Sequence, residues 1–168
     1  MAGVVELFPE TAAVDGGELA VGGIRLSTLA AEHGTPLVVY DEATLLRAVR
    51  AYRAAAPDAF VVYGLKAFPN VALLRLMAGE GVGTDVSTLG ELEVALRAGL
   101  PGEKLVVHGN NKSGEELAAA ARVGAAFVVV DALDEIERAA AAGVQRVLVR
   151  VNPGVEADTH PAIRTAHQ

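Results

Sequence analysis

Along the second half of the chain, apolar positions come in short unbroken runs separated by stretches with helical spacing. The runs predict strands at Phe60–Tyr63, Val82–Val86, Leu105–His108, Ala126–Val130 and Arg146–Val151. Their starts recur roughly every twenty residues, and an amphipathic stretch fills each gap. The punctuation agrees. Thr88-x-x-Glu91 and Ser113-x-x-Glu116 both have the form of a capping box, in which hydroxyl and carboxylate satisfy free amides at a helix start. Gly99, Gly124 and Gly143 stand where the helices should stop. Short apolar strands alternating with helices imply parallel pairing through right-handed crossovers. Two α/β folds fit five such units: a complete open sheet with helices on both faces, or about five of the eight units of a (β/α)8 TIM barrel. The pattern does not choose between them. In the second case the strand at Arg146–Val151 is expected at an open edge or covered by another copy.

Residues 1–35 have a different texture. Leu19-Ala20-Val21, Gly22-Gly23 and Ile24-Arg25-Leu26 predict two short strands around a glycine turn. Ser27 is placed to cap a helix over Thr28–His33 that Gly34 ends, and Thr35-Pro36 precedes a predicted strand at Leu37–Tyr40. Asp41 then starts a helix with Leu45, Leu46, Val49 and Tyr52 on one face and arginines opposite.

Composition narrows the class. About half of the residues are hydrophobic, mostly alanine and valine, so the core is built from small aliphatic side chains. A net charge of −7 argues against nucleic-acid or anionic-membrane partners, which require a basic face. The absence of cysteine removes disulfides and thiolate metal sites, and no His/Glu spacing suggests another metal site. The N-terminal residues lack the pattern of a signal peptide, and no apolar run reaches membrane-spanning length. A cytoplasmic protein is the expectation.

In parallel α/β folds chemistry gathers where strands end, so those positions hold the candidates. Lys66, in Tyr63-Gly64-Leu65-Lys66-Ala67-Phe68, directly follows an apolar strand; a shielded lysine is an amine nucleophile able to form a Schiff base, whereas a solvated loop lysine does nothing. Asp85 lies within an apolar run, suited to balance a cation, with Ser87 beside it. His108-Gly109-Asn110-Asn111-Lys112-Ser113 reads first as a turn before a capped helix. The acids at Asp131 and Asp134 read as helix-start residues favoured by the dipole. Arg150, flanked by Val149 and Val151, needs either an anionic ligand or a structural ion pair. His160 and His167 lie in an unassigned tail.

In this order and spacing the strings Tyr63-x-x-Lys66-Ala67, Asp85-Val86-Ser87-Thr88-Leu89-Gly90-Glu91, Gly109-Asn110-Asn111-Lys112-Ser113 and Arg150-Val151-Asn152-Pro153-Gly154 resemble the fold-type III pyridoxal-phosphate-dependent decarboxylases, and within them the branch that converts meso-diaminopimelate to L-lysine in lysine biosynthesis. Gly34-Thr35-Pro36-Leu37-Val38-Val39-Tyr40-Asp41 extends the likeness toward the start. The resemblance implies an amino-acid carboxy-lyase with pyridoxal 5'-phosphate at the mouth of a barrel. Residues 1–35 would contribute to a second, β-rich domain and residues 36–168 would form the N-terminal part of the barrel. It further implies that Lys66 holds the cofactor as its imine and is catalytic, that Arg150 lies beside it, and that Asp85 lines the same pocket. The partners expected are a small amino-acid substrate and, in the full-length form, a second copy in a homodimer. Related barrel decarboxylases of ornithine, arginine or carboxynorspermidine would keep Lys66, as would a non-catalytic pyridoxal-phosphate-binding barrel. Because the family's phosphate loop and substrate-carboxylate contacts belong further along, the remaining barrel strands and C-terminal β domain are expected to be missing here. This chain by itself is expected neither to bind the cofactor tightly nor to turn over.

Overall fold

The computed structural model describes residues 7–154. They form two compact units, one from residues up to 61 together with 76–82, the other from 62–75 together with residues from 83 onward.

In the first unit, β1 (Ala13–Asp15), β2 (Glu18–Val21) and β3 (Ile24–Arg25) form an antiparallel sheet in sequence order. The hairpin around Gly22-Gly23 is the expected one, with Val21 opposite Ile24. Strand β1, paired to β2 around Gly16-Gly17, is an addition to it. Helix α1 spans Leu26–His33 and starts earlier than its spacing suggested. Ser27 therefore lies inside the helix, and its hydroxyl donates to the Glu18 carboxylate at 2.5 Å instead of capping. The run Leu37–Tyr40, expected as a strand, belongs to no sheet and is exposed, since an apolar run becomes a strand only where a neighbouring backbone completes the ladder.

Helix α2 (Glu42–Ala55) starts as predicted at Asp41. One Asp41 oxygen accepts the Thr44 amide at 2.8 Å, and the other accepts the Thr11 hydroxyl at 2.6 Å. Thr11 in turn accepts the Gly22 amide at 2.8 Å, which ties the hairpin turn to the helix start. These bonds, the one from Thr11 foremost, hold the Asp41 carboxyl below the usual carboxylate range. Leu45, Leu46 and Val49 are half-buried, as the pattern required. Tyr52, placed on the same face, is exposed, as is every residue from Arg50 to Phe60.

The second unit is built on five parallel strands: β4 (Val62–Gly64), β5 (Gly83–Val86), β6 (Leu105–Val107), β7 (Phe127–Val130) and β8 (Val147–Val149). Each overlaps its predicted run. Helices α3 (Val71–Gly79), α4 (Leu89–Arg97), α5 (Gly114–Val123) and α6 (Leu133–Ala141) fill the gaps. The strands neighbour one another in sequence order with no reversal. A doubly wound sheet reverses its order at a switch point, whereas a (β/α)8 barrel adds each strand beside the last. The order therefore selects the barrel, of which this unit is a partial arc of five β/α repeats. Strand β8 lies at the edge, and Val147, Leu148 and Val149 are exposed there.

Register assigns the two faces. Thr84, Val86, Leu105, Val107, Val128 and Val130 share one face and are all buried. Helix α4 packs on β5, α6 on β7, and α5 against α6. Gly64, Asp85, Val106, Phe127, Val129 and Leu148 share the other face, which in a closed barrel is the interior. The capping signals place the helices. Around Ser113 both halves of the box form, at 3.1 and 2.8 Å. At Thr88 the hydroxyl accepts the Glu91 amide, but the Glu91 carboxylate takes the amide of Ser87 at 2.6 Å, one residue earlier than the pattern implied.

Gly102, in the 3₁₀ turn before β6, shows how closely these elements approach. An added Cβ would collide with the backbone oxygen of Val123 and crowd that of Gly124 at 2.7 Å. Gly102→Ala should cost about 1–3 kcal/mol of folding stability, because backbone on both sides must move. Denaturant titration of the full chain measures this, and a change below about 0.5 kcal/mol, within the range of an ordinary surface substitution, would show the approach to be looser than described.

Candidate active site

The C-terminal ends of β4 to β8 all point the same way, so the residues that follow them collect along one edge of the sheet. Lys66 lies in the 3₁₀ turn Leu65–Ala67 directly after β4. Gly64 is in register with Asp85 on β5, which puts the lysine turn and the Asp85 carboxylate at adjacent strand ends. Next comes His108, whose amide continues the β5–β6 ladder by donating to the Val86 carbonyl at 2.7 Å. Its Nδ1 lies 3.2 Å from Asp85 Oδ2. At the far side Arg150 likewise extends its ladder, its amide donating to the Val130 carbonyl at 3.0 Å. Its guanidinium lies 3.4 Å from Asp131 Oδ1.

Alternation explains why these side chains share a face. Asp85, Val129 and Leu148 point to the barrel-interior side, and so do His108, Asp131 and Arg150, each an even number of residues from a neighbour of known facing. Further down the strands that face carries Val106, Phe127, Val129 and Leu148, with the Arg146 guanidinium 5.3 Å over the Phe127 ring at the opposite end. The structure thus brings Asp85 and Arg150 to the same edge as Lys66. It does not shield Lys66, which is exposed, contrary to the dry setting that its apolar strand suggested. The reason is local: Lys66 sits on a turn after the edge strand β4 and leaves the sheet's alternation. Arg150 has the structural acid that its apolar flanks demanded, and it remains partly exposed toward the interior face. Ser87, a weaker candidate, spends its amide on Glu91. His160 and His167 lie outside the described residues.

Two residues that spacing passed over stand directly behind this edge. Lys112 and Glu135 are each 1% exposed. The Lys112 ammonium donates to the Gly109 carbonyl at 2.6 Å, the Val129 carbonyl at 2.5 Å and the Glu135 carboxylate at 3.1 Å, which uses all three of its protons. Glu135 also accepts the Asp131 amide at 2.9 Å. Burial pushes the Glu135 carboxyl up, but the Asp131 amide and the Lys112 ammonium outweigh it and hold the group below the usual carboxylate range. The Gly109-Asn110-Asn111-Lys112 string looked like a plain turn because its partner acid is 23 residues away in sequence.

The edge offers a reachable primary amine, a carboxylate–histidine pair and a guanidinium above an apolar floor. Those groups suit a small ligand with a carbonyl for the amine and an anionic oxygen for the guanidinium, two groups that a pyridoxal cofactor carries. This defines a barrel-type α/β protein whose chemistry sits at its strand ends.

Comparison with known proteins makes the class specific. The family model described as pyridoxal-dependent decarboxylase, pyridoxal binding domain, matches residues 42–168, and the chain belongs to that family. It is similar to the diaminopimelate decarboxylase of Actinosynnema pretiosum, 46% identical over 95% of this chain and 37% of the relative. It is also similar to that of Mycobacterium tuberculosis, 48% identical over 90% of this chain and 35% of the relative. Among solved structures it resembles diaminopimelate decarboxylase from M. jannaschii in complex with L-lysine, with a TM-score of 0.77 and 30% identity over 92% of this chain and 38% of that one. The chain therefore spans little more than a third of the length of the relatives it matches. Among the described residues, no helix is long and apolar enough to cross a membrane.

The buried pair gives a stability prediction. Glu135→Ala leaves a buried ammonium without its acid and should cost about 3–5 kcal/mol near neutral pH. Because the folded-state carboxyl lies below its unfolded value, the wild-type contribution is complete above the ordinary range near about pH 4.3 and is lost as pH falls through the folded value. The difference between wild type and variant, followed by denaturant titration, should narrow in acid. A gap that widens as pH falls would contradict the arrangement.

Proposed function

We propose that this chain forms the cofactor-holding part of an enzyme that decarboxylates meso-diaminopimelate to L-lysine in lysine biosynthesis, with pyridoxal 5'-phosphate attached through Lys66. The observation that supports it most is the position of Lys66 on the turn after β4, next to Asp85 at the edge where β/α barrels do their chemistry. The Actinosynnema pretiosum and Mycobacterium tuberculosis relatives carry that activity in their names, and the M. jannaschii relative was solved with L-lysine, the expected product.

When bound, pyridoxal phosphate supplies an electron-poor ring that takes up the pair released as the substrate loses its carboxylate. The chain's residues do the rest. Lys66 would hold the group as its covalent tether, and its amine, when free, would stand at the site and could carry a proton. The Arg150 guanidinium, held by Asp131, presents positive charge to an anionic oxygen of the cofactor. The Asp85 carboxylate, paired with His108, orients beside the tether and balances positive charge that develops there. The apolar side chains Val106, Val129 and Leu148 form a floor that holds a flat ring and keeps water from it. Residues 1–35 join a second, β-rich domain, and the complete enzyme works as a cytoplasmic homodimer acting on a small amino acid.

Borohydride reduction of the full-length protein in the presence of pyridoxal phosphate, followed by peptide mapping, tests this reading. The label is expected on Lys66 and should vanish in Lys66→Ala. Lysine production from meso-diaminopimelate should fall by at least about a thousandfold in that variant, the scale on which loss of a covalent catalyst is felt. Label on any other lysine would overturn the assignment.

A further inference from the structure

The site described above uses Asp85, His108, Asp131 and Arg150 but leaves unexplained why a lysine and a glutamate are completely buried behind them. Replacing a buried ion pair by apolar side chains of similar size is often neutral or stabilising, so attraction between the two charges does not by itself account for this one. Its connections do. Through Lys112 Nζ the pair grips the carbonyl of Gly109, the residue after His108, and the carbonyl of Val129, two residues before Asp131. Through Glu135 it grips the amide of Asp131 itself. Arg138 closes the cluster from α6 by donating to the Lys112 carbonyl at 2.7 Å. The loop after β6 is thus bolted to the end of β7 and to the first turn of α6. Each of the two residues that touch the proposed cofactor groups, His108 on Asp85 and Asp131 on Arg150, is next to a bolted backbone atom or carries one. Gly109 adds a further constraint: its φ of +108° suits only glycine, and an added Cβ would press on the Ser87 carbonyl at 3.3 Å.

We infer that Lys112 and Glu135 are positioning residues: the buried pair fixes the loops after β6 and β7 in register, so that His108 and Asp131 hold Asp85 and Arg150 at the site's edge. Neither residue reaches the interior face itself. The inference rests on the cofactor-holding reading of that edge, in which Asp85 and Arg150 face pyridoxal phosphate. The connection is geometric: with the bolts removed, Asp131 loses its backbone anchor and the guanidinium it faces loses a fixed counter-charge. Side chains that support a site from behind in this way typically govern ligand affinity by about ten- to a hundredfold.

Two variants of the full-length protein separate positioning from simple filling. Lys112→Met/Glu135→Leu replaces the pair with apolar side chains of similar length, and Glu135→Gln keeps an acceptor for both the Asp131 amide and Lys112. The double variant leaves the Gly109 and Val129 carbonyls and the Asp131 amide without these partners and should melt below wild type, so it is compared at a temperature where both are folded. It should bind pyridoxal phosphate at least about tenfold more weakly in an absorbance titration, as loss of such support predicts. Amide hydrogen exchange, measured without cofactor, should quicken at residues 109–113 and 131–135 and nowhere else. If affinity and local exchange both stay at wild-type values, the pair is only filler and the inference falls. Should the double variant fail to fold, Glu135→Gln decides. Affinity within about threefold of wild type, a difference under 1 kcal/mol, supports a hydrogen-bonded bolt, whereas a tenfold loss means that charge and not position matters and overturns it. The exchange measurement needs no cofactor, and borohydride mapping of the wild type reports on Lys66 alone, so a failure here is distinguishable from a failure of the proposed function.

Discussion

Five strands that run the same way and add in sequence order impose one constraint on everything else: all of their C-terminal ends open on a single edge. A backbone in a parallel ladder cannot turn back within a few residues, so each strand needs a crossover helix before the next can pair. The helices cover one face, and the residues just past each strand are left where no helix covers them. The distance in sequence from Lys66 to Arg150 collapses at this edge into a row of neighbouring strand ends. The chemistry assigned to the chain follows from the ladder first and from residue type second.

That constraint also explains what was legible in the sequence. The apolar runs located all five parallel strands; β5, β6 and β7 are buried on their helix-covered face, and burial is what an unbroken apolar run encodes, while β4 and β8 carry the same apolar residues at the two edges of the sheet. Ser113 and Glu116 marked a helix start correctly because both halves of a capping box lie within four residues. Lys66, Asp85 and Arg150 could be singled out because they follow or interrupt apolar runs. What the pattern could not settle was open sheet against barrel, since strand order is a property of long-range pairing. It also misplaced Ser27 and the run at Leu37–Tyr40, where local preference was overruled by the sheet that actually formed and by the lack of one.

The least legible feature was the pair at Lys112 and Glu135. Each has an adequate local explanation, a turn lysine ahead of a cap and an acid in the first turn of a helix. Only their meeting across α5 and β7 makes them unusual, and nothing in a linear pattern records that meeting. His108 and Asp131 were read as turn and helix-start residues for the same reason: their roles come from partners 23 and 19 residues away, Asp85 and Arg150. Strand-end residues are readable one by one, but the pairing among them is readable only in three dimensions.

The exposure of Lys66 bears on how the site is completed. Imine formation by a lysine is favoured where the amine is shielded from water in an apolar pocket. Within the described unit Lys66 stands exposed on the turn beyond the edge strand β4. On the interior face Val106 and Val129 are already buried while Leu148 is exposed, so a layer laid over Leu148 gains hydrophobic free energy and at the same time dries the edge above. Covering the floor and activating the amine are on this view the same physical event. The five-stranded arc contributes the placement of the amine and of its charged neighbours, while its reactivity depends on whatever surface comes to rest on that face.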